Sequence, residues 1–305
     1  MCRNARENAG RRLGAALSLL VAASCSTPAP EPLFDRCRAN LERPVNASDA
    51  ATQREFLAQM SALVRDGDTA SLGTFNEHRG TGNLRPLPAR GRVRPSEVIY
   101  DECAPGVVIV GRMFHCDQCP RQHLSTSSGF MVSADGVFVT NSHVLQGDPE
   151  DHIAIMTSDG AVHPVVELLA RDRAADVAVA RAVAKRPFAP LPLRQDARVG
   201  EEVFVISHPA AHYHVMTSGI VARGTHTGRS PAFMITAPYA RGSSGGPVLD
   251  ARGNVVGMVK STKSIYHEPM REVPKNLQMV MRYCVPSAAV LNVLRGSGGS
   301  RQRAE

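Results

Sequence analysis

The chain has 305 residues, 43% of them hydrophobic, which bounds it to one large globular domain or two modest ones. Of its formal net charge of +7, the first 25 residues hold +3, from Arg3, Arg6, Arg11 and Arg12 less Glu7; the mild excess of +4 that remains does not point to nucleic acid as a partner. Trp is absent and aromatic residues make up only 5%, which leaves any core to Val, Ile, Leu, Ala and Met.

Residues 1–25 read as a targeting segment, with a basic start ending in Arg11-Arg12, an apolar run from Leu13 to Ala23, and then Ser24-Cys25. The run is too short for a permanent membrane-spanning helix. Ala22-Ala23-Ser24-Cys25 resembles a bacterial lipobox, in which the cysteine is lipidated and becomes the first mature residue, although a larger aliphatic residue is commoner where Ala22 stands. Ordinary secretory cleavage nearby is the other reading. Both take the protein out of the cytoplasm, to the periplasm, to the envelope membrane as a lipoprotein, or otherwise to secretion; under the lipobox reading a lipid on Cys25 is the membrane contact. With Cys2 removed and Cys25 lipidated, Cys37, Cys103, Cys116, Cys119 and Cys284 remain. That is an odd number in an oxidising compartment, so at least one thiol is free, metal-bound or paired with another molecule.

Residues 26–96 form a tether carrying one helix. Pro28, Pro30, Pro32 and Pro44 mark an extended start. From about 48 to 66 the spacing predicts a helix: Ser48 suits an N-cap, Phe56, Leu57, Met60, Leu63 and Val64 share a face, and Gly67 stops it. One amphipathic helix cannot bury itself, so it is expected to pack on the main domain, a partner protein being the alternative. From about Val98 the chain turns to short apolar runs of strand length, such as Val107–Val110, Val137–Thr140, Ile153–Met156, Val177–Ala180 and Val255–Lys260. Asp135-Gly136, Asp159-Gly160 and Arg252-Gly253-Asn254 separate some of them. The count and spacing suggest an antiparallel sandwich or paired barrels rather than a parallel sheet. Pro190 to Ala197 is the natural seam, Ser287 to Leu294 a closing helix, and 296–305 a polar tail.

The chemistry gathers at Gly242-Ser243-Ser244-Gly245-Gly246-Pro247. Glycines reach positive φ and allow close approach, so such a loop can aim backbone N–H groups at a point beside the Ser244 hydroxyl, as oxyanion stabilisation requires. A base and an orienting carboxylate are then needed. His143, in Thr140-Asn141-Ser142-His143-Val144 after a strong strand, suits the first, and Asp176, at the start of Val177-Ala178-Val179-Ala180, suits the second. Asp172 is the nearest rival, with a surface salt bridge as its expected role. The order His, Asp, Ser separates this chain from subtilisins and α/β-hydrolases. The elbow of the latter also needs a helix after the serine, whereas Pro247 to Val259 reads as a hairpin.

Thr140 to Val144 and Gly242 to Pro247 resemble the histidine and serine motifs of trypsin-like serine proteases. The text from Ser128-Gly129-Phe130 to Val144, with Asp176–Ala180, Val199–Val203, His208-Pro209 and Gly219-Ile220-Val221, is similar to the bacterial Deg/HtrA branch in particular. The resemblance implies an all-β domain over 97–295, two six-stranded antiparallel barrels at about 97–190 and 191–285 with the C-terminal helix and the short N-terminal helix, and a serine endopeptidase needing no cofactor and no metal for catalysis. By it Ser244 is the nucleophile, His143 the general acid–base and Asp176 its orienter; Gly242, Ser243 and Ser244 form the oxyanion hole, with the Gly242 and Ser244 N–H groups as donors. Protein or peptide substrates follow. A homo-oligomer is admitted, since Deg-type enzymes are often trimers. A protease-fold binding module that keeps the residues without an assembled site is the rival reading.

The resemblance also implies that Met258, Val259 and Lys260 pair with or line the site for substrate, with Tyr239 as a second pocket residue. Pro238 stands where trypsin-like preference would need aspartate, so small or medium aliphatic residues are expected to be favoured. The chain after Ser244 suffices for a barrel and a helix but not for a PDZ domain. Two local groups fall outside the family pattern. Cys116 and Cys119, with His123, suit a disulfide or zinc, the disulfide being favoured because the fourth ligand is undetermined; a redox pair would normally open a helix in a thioredoxin-like unit. Cys103 and Cys284 could pair across the domain. His208, His212 and His214 read as exposed loop histidines near the cleft, with metal binding the lesser alternative.

Overall fold

A computed structural model describes residues 48–75, 84–116, 118–195, 197–268 and 275–296. The leader with Cys25, the tether to residue 47 with Cys37, and residues 297–305 of the polar tail lie outside the described residues.

Helix α1, Asp49–Arg65, starts where Ser48 accepts the Ala51 N–H, and α2 spans Ser96–Cys103. Six strands then close a first barrel: β1 Val107–Cys116, β2 Cys119–Met131, β3 Val137–Thr140, β4 His152–Met156, β5 Val162–Asp172 and β6 Val177–Ala182. A second closed barrel follows from β7 Glu202–Ser207, β8 Val215–Thr227, β9 Ser230–Ile235, β10 Pro247–Asp250, β11 Val255–Glu268 and β12 Lys275–Pro286, and α3, Ser287–Leu294, ends the domain. No described helix is long and apolar enough to cross a membrane.

The continuous apolar runs arise because many strands are buried on both faces. Along β1, Val108 and Val110 cluster with Phe138, Ile155 and Ala178, while the intervening Ile109 meets Phe56 and Met60 of α1. Thus α1 packs on the first barrel, as its apolar face requires. A larger core lies between the barrels, where Val139 and Val177 meet Phe204, Ile206, Leu249 and Val255, with Val290, Leu291 and Leu294 of α3. The connector between barrels is strapped into this seam: Leu191 N–H bonds Met131 O at 2.9 Å, and Val255 N–H bonds Pro192 O at 2.8 Å.

Cys103 and Cys284 do not pair. Cys103 is buried in the seam core beside Arg90, and Cys284 lies in a cluster of the second barrel beside Tyr239, so both are free thiols. Burial raises the pKa of each thiol, that of Cys284 to about 12.

Candidate active site

Strand register brings His143 and Asp176 together. β3 and β6 are antiparallel, with Thr140 opposite Ala178. The chain leaves that end of the ladder through a short 3-10 turn, Ser142–Leu145, and Asp176 sits two residues before Ala178 at the same end. His143 Nδ1 lies 3.0 Å from Asp176 Oδ2 and 3.1 Å from Oδ1, and the His143 backbone N–H donates to the same carboxylate at 3.1 Å. A carboxylate on Nδ1 keeps the proton there and leaves the Nε2 lone pair free to take one. Asp176 holds φ +62, a conformation that aspartate tolerates better than most residues, and Asn141 Nδ2 anchors its carbonyl at 2.9 Å. Asp172 instead caps its own turn, its Oδ1 accepting the Ala174 and Ala175 N–H groups at 2.9 Å.

The serine loop comes from the second barrel and is seated on the first. Gly245, at φ +87, presses so close that a Cβ would fall 2.1 Å from Ser128 O and 2.3 Å from Thr140 Oγ1. The Ser128 N–H donates to Ser244 O at 2.9 Å, its hydroxyl donates to Gly242 O at 2.9 Å, and it accepts the His208 N–H at 3.0 Å. Arg241 O takes the Ala210 N–H at 2.6 Å, and a planar trans peptide then turns the Gly242 N–H to the opposite side. Gly242 has φ +93, where a Cβ would meet His208 O at 2.5 Å. The Ser243 N–H is spent on Ala240 O at 3.0 Å, and its hydroxyl bonds Ser207. Among the described residues the Gly242 and Ser244 N–H groups have no acceptor, which leaves two donors beside Ser244 for an oxyanion.

The family model described as a trypsin-like peptidase domain matches residues 127–258, a span holding His143, Asp176 and Ser244. This chain carries a trypsin-like peptidase domain. Its similar proteins include mitochondrial serine protease HTRA2 of Bos taurus, 33% identical over 174 residues that cover 52% of this chain and 37% of that protein. A probable periplasmic serine endoprotease, DegP-like, of Bartonella henselae is 36% identical over 141 residues, 44% of this chain and 27% of the relative. One of the same description from Hahella chejuensis is 33% identical over 147 residues, 46% and 30% respectively. The chain therefore spans well under half the length of these relatives.

Within the peptidase domain the Ser244 hydroxyl donates to Lys260 O at 3.3 Å and, among the described residues, makes no hydrogen bond to His143. Lys260 is partly buried, with its Nζ 3.1 Å from Thr227 Oγ1. Met258 and Val259 are 0% and 1% exposed and pack into two different cores. The contribution of Val259 to the loop is its backbone, bonded to Gly245 and Gly246. Tyr239 is likewise packed into the second barrel, its hydroxyl donating to Tyr283 O at 2.7 Å, and burial drives its pKa far upward.

The histidine group departs from the expected exposed loop. His208 and His214 are buried, and only His212 is exposed, where it pairs with Asp49 of α1. His208 Nδ1 accepts the His214 N–H at 3.0 Å, which makes it the neutral Nε2–H tautomer. Burial, and then the neighbouring His214, hold its pKa well below the usual histidine value. Ala210, Ala211 and His214 all have positive φ, so this segment holds the Arg241 carbonyl in a strained conformation. Sequence reasoning also missed Ser128 as the hub of the loop. The only signal available was its place at the end of the polar run Ser125-Thr126-Ser127-Ser128, directly before Gly129-Phe130; it is fully buried once folded.

Proposed function

We propose that the protein is a serine endopeptidase that cleaves protein substrates through Ser244, His143 and Asp176 and an acyl-enzyme intermediate. The observation that carries this reading is that the serine loop of one barrel, with two unspent N–H donors, is seated against Ser128 and Thr140 of the other, the latter three residues before the carboxylate-anchored His143. In the reaction Ser244 Oγ leaves its weak bond to Lys260 O, gives its proton to His143 Nε2 and attacks the carbonyl carbon. The oxyanion is received by the Gly242 and Ser244 N–H groups, and His143 returns the proton to the leaving amine. Asp176 stabilises the imidazolium without taking its proton.

The periplasmic relatives support an exported protein, and the Cys25 motif supports a lipid anchor; palmitate labelling that persists in Cys25→Ser would refute the anchor. Protein quality control or processing in the envelope is the role this location suits. A second reading, a catalytically silent binding module, draws on the Ser244 hydroxyl being bonded to Lys260 O. Digestion of an unfolded protein substrate separates the two. The enzyme reading expects cleavage by the purified chain and a fall of about 10⁴-fold or more in Ser244→Ala and His143→Ala. Equal activity in wild type and Ser244→Ala would overturn it.

A further inference from the structure

The β1–β2 hairpin ends in a turn that the candidate active site does not use. Cys116 closes β1 and faces Cys119, which opens β2, and their sulfurs stand 3.5 Å apart. His123 lies further along β2, and its Nε2 is 3.1 Å from each sulfur. All three side chains are partly buried, with their donor atoms within 4.8 Å of one another.

Hydrogen bonding accounts for part of this convergence, since Cys116 Sγ also reaches Cys119 O at 4.0 Å, but a neutral imidazole nitrogen offers one lone pair to the two thiols that meet it. A disulfide would draw the sulfurs to about 2.05 Å and leave His123 without a function. A thiophilic cation uses all three groups at once. Tetrahedral zinc, with Zn–S of about 2.3 Å and Zn–N of about 2.0 Å, places its ligand atoms about 3.5–3.8 Å apart. The spacings here, 3.5 Å between the sulfurs and 3.1 Å from each to Nε2, are a few tenths of an ångström shorter than the tetrahedral values, so the ion enters by spreading the trio slightly.

We propose that Cys116, Cys119 and His123 form a zinc(II) site with one exchangeable coordination position. The cation replaces the two thiol protons, which pass to solvent, and no atom changes oxidation state. Zinc there would cross-link β1 to β2 at the tip of a long hairpin, beside Gln122, whose Oε1 lies 3.2 Å from Ser61 Oγ of α1. The site is separate from the candidate active site: β2 carries Cys119 and His123 at one end and Ser128 near the other.

The test uses the full chain, reduced, stripped of metal and titrated with zinc and with cobalt(II). Wild type is expected to take up about one zinc per chain. Its cobalt form should show the thiolate-to-cobalt charge-transfer band and the intense visible bands of a tetrahedral centre. Cys116→Ser/Cys119→Ser should lose the charge-transfer band. Losing a group that merely orients a ligand already costs about 10–100-fold, so His123→Ala should weaken zinc binding at least about tenfold, with its circular dichroism unchanged. Reduced wild type that binds neither metal overturns the proposal, as does zinc uptake undiminished in the double cysteine variant. A chain isolated as the Cys116–Cys119 disulfide overturns it if reduction fails to restore zinc binding, and supports it if binding returns.

Discussion

Ser128 ties the first barrel to the second with three hydrogen bonds, two to the serine loop and one from the His208 N–H, and it is fully buried. Ser128→Ala strands Gly242 O and the His208 N–H without a partner, at about 1–3 kcal/mol for each buried group left unsatisfied. The expected result is a fall of about tenfold or more in kcat with KM little changed, since the loop rather than the substrate contact is disturbed. Steady-state kinetics on a peptide substrate reads this directly. His208 gives a pH dependence whose sign is fixed. Its folded pKa lies below the unfolded value of about 6.5, so the unfolded chain binds the proton first. Stability from this residue is full above about pH 6.5 and declines as pH falls below it. The rings facing it are His214, with centroids 4.8 Å apart, and Tyr213 at 5.8 Å. Thermal unfolding between neutral and mildly acid pH should show a drop that His208→Gln reduces, because glutamine can accept the His214 N–H without a proton to gain.

At the scale of elements, α1 is held by apolar burial and by polar contacts along its length, with Gln59 bonded to Gly160 O and the Val162 N–H, and Asp49 clamping its start. Phe56 and Met60 are fully buried against the first barrel, while Asp49 accepts the Tyr213 N–H at 3.0 Å and pairs with His212. Phe56→Ala should lower the unfolding free energy by about 3–5 kcal/mol, measurable by urea titration. This helix was readable in the sequence because its period and its Ser48 cap agree. The early strands were equally legible, since β-branched residues buried on both faces give unbroken runs. β12 was not: Lys275, Asn276 and Gln278 at its start are polar, and Leu277 and Met279 point outward, so pairing with β11 rather than composition makes it a strand. α2 was missed because burial of only Ile99 and Cys103 gives too short a period. Among the candidate site residues, His143, Asp176 and the serine loop were legible as motifs next to strands. The burial of His208 and His214 was not, because polar loop residues carry no sign of being covered by a distant helix and barrel.

The whole molecule places its candidate chemistry on a seam. The first barrel supplies His143 and Asp176, the second supplies Ser244, and neither half holds a complete set. Stability of the seam is thus a condition of activity. Arg194, in the connector, bonds the fully buried Asp250 at 2.8 Å, reaches Glu201, and offers its carbonyl to Ser287 at the start of α3. Arg194→Leu leaves the Asp250 carboxylate without its guanidinium and should cost about 2 kcal/mol or more, with activity lost at correspondingly lower urea. The most direct test of the central claim is mass spectrometric mapping of the chain after reaction with a fluorophosphonate. The account predicts one adduct, on Ser244, abolished in Ser244→Ala and strongly slowed in His143→Ala. No adduct on the folded wild type, or an adduct on another residue that persists in Ser244→Ala, would contradict it.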